Sequence, residues 1–160
     1  MLLEENRREE FLRNLSCVCQ EEGFGQSTWT IDLCYLLKRY KIQHCMYTTM
    51  IGVNEDYRRQ GYYNKIINMG PVITLVDAGL LVCDLCKHNK LKAEFRRCFG
   101  GGYTGHYVLL VGYNIRNNKI LYRDPALPAR LCAVSPFRLK QARLATGTDE
   151  DVIFVFNNYR

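Results

Sequence analysis

The stretch Thr104–Asn114, TGHYVLLVGYN, decides how this chain is read. Its aliphatic and aromatic run is strand-like, and NIRNN (Asn114–Asn118) is an asparagine-rich turn. Beyond it lies a second short apolar stretch, so Val108–Tyr113 and Lys119–Tyr122 are expected to pair as an antiparallel hairpin. That hairpin places His106 at the outer end of one strand and Asp124 just past the far end of the other. About a turn near Asn117 the two are close to mirror positions, able to face each other across the ladder. Pro125 cannot donate to a sheet, so the strand stops at Asp124 and leaves its carboxylate at the rim. A histidine acting as general base needs an acceptor on its far ring nitrogen, so His106 and Asp124 are the candidate catalytic pair. The competing reading is a half-exposed edge histidine beside an Asp-Pro turn former. Spacing alone leaves both open.

Outward from the hairpin, STWTIDLCYLLKRY (Ser27–Tyr40) is the clearest helix, with Trp29, Leu33, Leu36, Leu37 and Tyr40 on one face. Ser27 or Thr28 is placed to cap it, and Asp32 suits its first turn. Residues 1–19 have helical content, and IQHCMYTT (Ile42–Thr49) reads as a strand. PVITLVDAGLLVCD (Pro71–Asp84) reads as two short strands about a turn at Asp77-Ala78-Gly79. GVNEDYRRQGYYNKIINMG (Gly52–Gly70) and KHNKLKAEFRRCFGGGYT (Lys87–Thr104) read as loops, the first with a short helix. Ser135-Pro136 opens a helix that Gly147 is expected to close, and VIFVF (Val152–Phe156) is a last strand. The pattern predicts an α+β domain with N-terminal helices packed on one mostly antiparallel sheet, as a single domain over residues 1–160.

A chain of 160 residues, 48% hydrophobic and 24% charged, is long enough for one real core and too apolar for disorder. The start, MLLEENRREEF, has no basic then apolar leader pattern, and no apolar run is long enough to cross a bilayer. The expected address is therefore cytoplasm, with the nucleus as the other reducing compartment. The eight cysteines then read as buried small hydrophobes rather than as a disulfide framework. A net charge of +6 with short basic clusters and no aromatic-interleaved basic stripe gives no reason to expect nucleic acid.

GHYVLLVGYN followed by YRDPA resembles the histidine and acidic segments of papain-like cysteine peptidases of the bacteriocin-processing, C39-like type. STWTIDLCYLLKRY, CDLC, GHYVLLVGYN, DPA and GTDEDVIFV together resemble, in that order, the guanylyl-cyclase-domain-containing proteins of animals and plants. The resemblance runs from about Ser27 to the end and leaves residues 1–26 as a divergent segment. It implies a papain-like, C39-type fold, GTP as substrate and Mg or Mn as cofactor if the chain is a cyclase. Longer members carry a segment resembling HWDCG, whose cysteine holds the nucleophile position. No Asp-Cys-Gly stands ahead of Trp29 here, since Cys17 and Cys19 sit in LSCVCQE and Cys34 lies inside the helix. The chain also reads as shortened around IINMGPVITLV. A truncated or spliced form, incomplete at its N-terminus, is the expectation. Without its thiolate such a site has no covalent catalysis, which opens the alternative of a pseudoenzyme binding an unknown protein partner.

Cyclisation of GTP by a metal pair needs two carboxylates in common reach. Asp56, Asp84, Asp124 and the run Asp149–Asp151 are candidates, and none has a spacing that specifies such a site. No Walker-type glycine loop exists, and RYKI (Arg39–Ile42) only approximates the short plant-style cyclase centre. Cys83 and Cys86 form a CxxC, with His88 and Cys98 downstream. Zinc sites pair two such units, and the second is incomplete, so no metal ligand is assigned from sequence. YRRQGYY (Tyr57–Tyr63) reads as an ordinary polar loop with aromatic anchors.

Overall fold

The structure is a computed structural model that describes residues 5–25, 28–48, 70–86, 94, 98, 100–127 and 129–156. Its helices of described extent are α1 (Glu5–Glu21), α2 (Thr30–Arg39) and α3 (Pro136–Arg143). The strands are β1 (His44–Tyr47), β2 (Val72–Asp77), β3 (Gly105–Asn114), β4 (Lys119–Arg123), β5 (Leu131–Val134) and β6 (Val152–Val155). They make one six-stranded sheet in the order β1-β6-β2-β3-β4-β5, with every neighbouring pair antiparallel.

Strand alternation sorts the side chains onto two faces. One face buries Val76, Val108, Leu110, Ile120 and Tyr122, and α3 closes over it with Leu139 and Ala142. The other buries Ile153 and Val155 beneath Cys34, with Leu33 and Leu37 of α2 packed alongside. Each face thus has its own helix, which is how an α+β chain hides both sides of a sheet. α1 docks on α2 through an edge-to-face contact of Phe11 with Tyr40, centroids 4.9 Å apart. Arg39 adds ion pairs to Glu21 and Glu22 at 2.7 and 2.8 Å.

The β3–β4 hairpin forms as the sequence predicts, with one addition. Leu110 pairs with Tyr122 but Gly112 pairs with Leu121, so Val111 is an extra, bulged residue. That one-residue shift sets Tyr113, where an unbroken register would set Gly112, opposite Ile120 and against the cluster on the α3 side.

Other sequence expectations change. Trp29 is at the N-cap of α2 and 68% exposed, whereas the buried residues of that helix are Thr30 and Cys34. Asp32, in the first turn as expected, reaches back to accept from the Trp29 amide at 2.8 Å, and Trp29 stands at the cap position expected of Ser27 or Thr28. Leu80–Cys83 is no strand. Asp77 Oδ1 accepts from the Gly79 amide and the Asp77 carbonyl from those of Leu80 and Leu81, turning the chain under the sheet. Leu81, Val82 and Cys83 are buried there, and the Asp84 amide donates to the Ala133 carbonyl. α3 ends at Arg143 and not at Gly147. Gly147 has φ +98° and a Cβ there would lie 2.8 Å from the Tyr103 ring, so glycine serves a turn beneath that tyrosine. Glu94 and Cys98 are helical where a loop was expected, and residues 52–69 lie outside the described residues.

At the N-terminus of α3, Ser135 Oγ accepts from the Arg138 amide at 3.4 Å and Pro136 follows in the first turn. Ser135→Ala is expected to cost about 1 kcal/mol, read as a shift in the denaturant midpoint at unchanged slope.

Candidate functional site

His106 lies near the start of β3, opposite Val76 of β2, on the face that α3 covers. Asp124 follows the last residue of β4, diagonal to His106 across the hairpin. His106 Nε2 and Asp124 Oδ1 are 2.8 Å apart. Asp124 is fixed first by its own turn: Oδ1 accepts from the Ala126 amide at 2.9 Å and its carbonyl accepts from Leu127 at 2.9 Å. The Asp-Pro dipeptide therefore makes the turn and aims the carboxylate at the imidazole, so the two sequence readings describe one geometry. Asp124 is 5% exposed and the imidazole 27% exposed. A carboxylate only accepts, so Nε2 carries the proton in the neutral ring and Nδ1 keeps the basic lone pair.

Beneath the pair, Tyr122 is 2% exposed. Burial pushes its hydroxyl far above the usual range, and Cys132, Cys83 and Asp124 add to the rise. Burial likewise raises Tyr107 on the other face, against the hydrogen bond it shares with Thr30. Unfolded tyrosine titrates near pH ~10, so above that pH the unfolded chain loses protons that the folded one keeps. Stability is expected to be level below pH ~9 and to fall above ~10 by about 1.4 kcal/mol per pH unit for each such tyrosine. Thermal melts from pH 8 to 11, compared with Tyr122→Phe, check this.

Asp84 and Asp151 are engaged elsewhere. Asp84 binds Lys119 at 2.6 Å and Arg138 at 2.7 Å. Asp151 accepts a short hydrogen bond from Thr30, whose hydroxyl is 2.8 Å from that of Tyr107. Tyr107 alternates with His106 along β3, so that network lies on the face opposite the His106–Asp124 pair. Asp149 and Glu150 take positive φ in the turn before β6, and Asp56 lies outside the described residues. Among the described residues, these carboxylates do not converge on a site for a Mg or Mn pair.

The thiols also sort clearly. Cys34 is buried under α2 on the far face from His106, and burial raises its pKa. Among the described residues no thiol is hydrogen-bonded to His106. Cys83, Cys86 and Cys132 instead bring their sulfurs within 4.8 Å of one another. Cys98 is exposed and outside this group, and His88 lies outside the described residues. Sequence reasoning missed Cys132. The available signal was its place in an apolar run, LCAV, that could pair with KILYR and set Cys132 opposite Tyr122.

Fold and site thus define a class: an α+β domain carrying a buried carboxylate and a half-exposed imidazole at the rim of an antiparallel sheet. The sequence profile of the Guanylylate cyclase family matches residues 1–72 and 65–155, and the chain belongs to that family. Guanylyl cyclase 1 of Arabidopsis thaliana is 26% identical over 179 aligned positions, covering 90% of this chain and 64% of the relative. The chain therefore spans just under two-thirds of that relative's length. The alignment is longer than the 160 residues of this chain, so the relative carries internal sequence without a counterpart here. The two profile matches overlap at residues 65–72, where the chain reads as shortened. Among the described residues no helix is long and apolar enough to cross a membrane.

Proposed function

We propose that this domain is a guanylyl cyclase in which His106, oriented by Asp124, is the general base. Family membership supports the reaction class, and the observation that carries the role is the 2.8 Å contact between His106 Nε2 and Asp124. In cyclisation the nucleophile is the substrate's own ribose 3′-hydroxyl, so the protein needs a base and no thiolate. His106 Nδ1 takes the hydroxyl proton, the 3′-oxygen bonds to the α-phosphorus, and the bond to the departing pyrophosphate breaks. Asp124 holds the tautomer and stabilises the imidazolium. The fold is read as the papain-like, C39-type architecture in an internally shortened form, supported by the histidine and aspartate on neighbouring antiparallel strands.

The test is incubation of the pure chain with GTP and magnesium or manganese, followed by mass spectrometry for cyclic GMP. Product above a boiled control is expected. None would overturn the cyclase reading and favour the second one, a pseudoenzyme docking a protein partner. That reading rests on the lack of a described thiol bonded to His106 and on Trp29 and Phe137, 68% and 69% exposed.

A further inference from the structure

The geometry points to a zinc site of three thiolates, Cys83, Cys86 and Cys132, with the fourth coordination position open to an outside ligand. The site is independent of the His106–Asp124 pair and of the cyclase reading. Cys83 and Cys86 come from the buried turn after β2 and Cys132 from the edge strand β5, so the group exists only in the folded chain. Tetrahedral zinc holds thiolates at about 2.3 Å, which puts neighbouring sulfurs about 3.8 Å apart. Cys86 Sγ and Cys132 Sγ are 3.9 Å apart, and all three sulfurs lie within 4.8 Å of one another. Closing them around one ion takes shifts of less than about 1 Å.

The surroundings are built for thiolates. The Cys86 amide donates to Cys83 Sγ at 3.4 Å. Three sulfurs at this spacing suit a divalent soft cation, and binding releases their protons to solvent. The turn itself is held in place by the Asp84 amide on the Ala133 carbonyl at 2.7 Å and by the Asp84 ion pairs to Lys119 and Arg138. Cys83 and Cys132 are buried and Cys86 half-buried, so the cluster opens on the Cys86 side. Zinc sites with three protein ligands keep a fourth place for water or an incoming group, and this opening supplies one.

The test uses the full chain, purified reduced, in a competition titration of Zn2+ against a chromophoric chelator, with Co2+ substitution as a spectroscopic check. About one equivalent of zinc per chain and sulfur-to-cobalt charge-transfer absorption are expected. Cys86→Ser should weaken binding at least about tenfold, and Cys98→Ser should leave it unchanged. Because a substituted chain can fail to fold, the wild-type protein is also alkylated with and without Zn2+. Zinc should protect Cys86 while the exposed Cys17 and Cys98 label alike in both arms. No zinc retained by the folded protein, equal labelling of Cys86 in both arms, or tight Cu(I) binding without zinc binding would overturn the assignment.

Discussion

If the domain is the cyclase proposed above, His106→Gln is expected to lower the rate of cyclic GMP formation by about a hundredfold to ten-thousandfold, the range a positioned base contributes, and to leave the fold intact. The variant keeps a side chain of similar length and removes the basic nitrogen. His106 is half-buried at the sheet's rim and sits outside the central cluster, so thermal stability should move little. Asp124→Asn is expected to lower the rate as well, by no more than His106→Gln does. Its carbonyl can still accept from the Ala126 amide and hold the turn, but the charge that favours the imidazolium is gone. Initial rates with GTP, set beside melting curves, separate the catalytic effect from a structural one.

Tyr122→Ala destabilises the domain by about 3–5 kcal/mol, the scale for removing a buried aromatic side chain. Tyr122 is among the largest fully buried side chains and faces Leu110 across the hairpin and Cys132 across the β4–β5 pair. At this chain length the loss corresponds to a fall in Tm of roughly 10 °C. Tyr122→Phe keeps the ring and loses the hydroxyl beside Cys132, so it should cost about 1 kcal/mol. Calorimetry on the two variants checks the difference. A similar cost for both would locate the stability in the hydroxyl and not in the packing.

The hairpin and its two polar residues were legible because everything that makes them is local. A strand-like run, an asparagine turn, a second run and an Asp-Pro stop lie within 23 residues, Thr104 to Ala126. The side-chain contact follows from that register. The Val111 bulge left one trace, Gly112 inside the strand pattern, which suggests a bulge without saying which residue is extra. Leu80–Cys83 was misread because a short, fully buried apolar run looks the same whether it pairs as a strand or dives beneath one. Asp77 decides that case through amides two to four residues on. Cys132 escaped notice for the opposite reason. Its partners lie 46 and 49 residues away, and only the β4–β5 pairing brings them together. Trp29 shows that a helical stripe in sequence need not end where the core does: the apolar face of α2 is buried from Thr30 inward, and the tryptophan stands clear of it.

The most direct measurement is a double-mutant cycle on cyclic GMP formation, using wild type, His106→Gln, Asp124→Asn and the combined variant. If the two side chains act as one unit, the combined variant is no slower than His106→Gln alone, because an aspartate with no imidazole to orient contributes nothing further. Losses that multiply, or single variants as fast as wild type, would show that the imidazole and the carboxylate do not work together and would contradict the account.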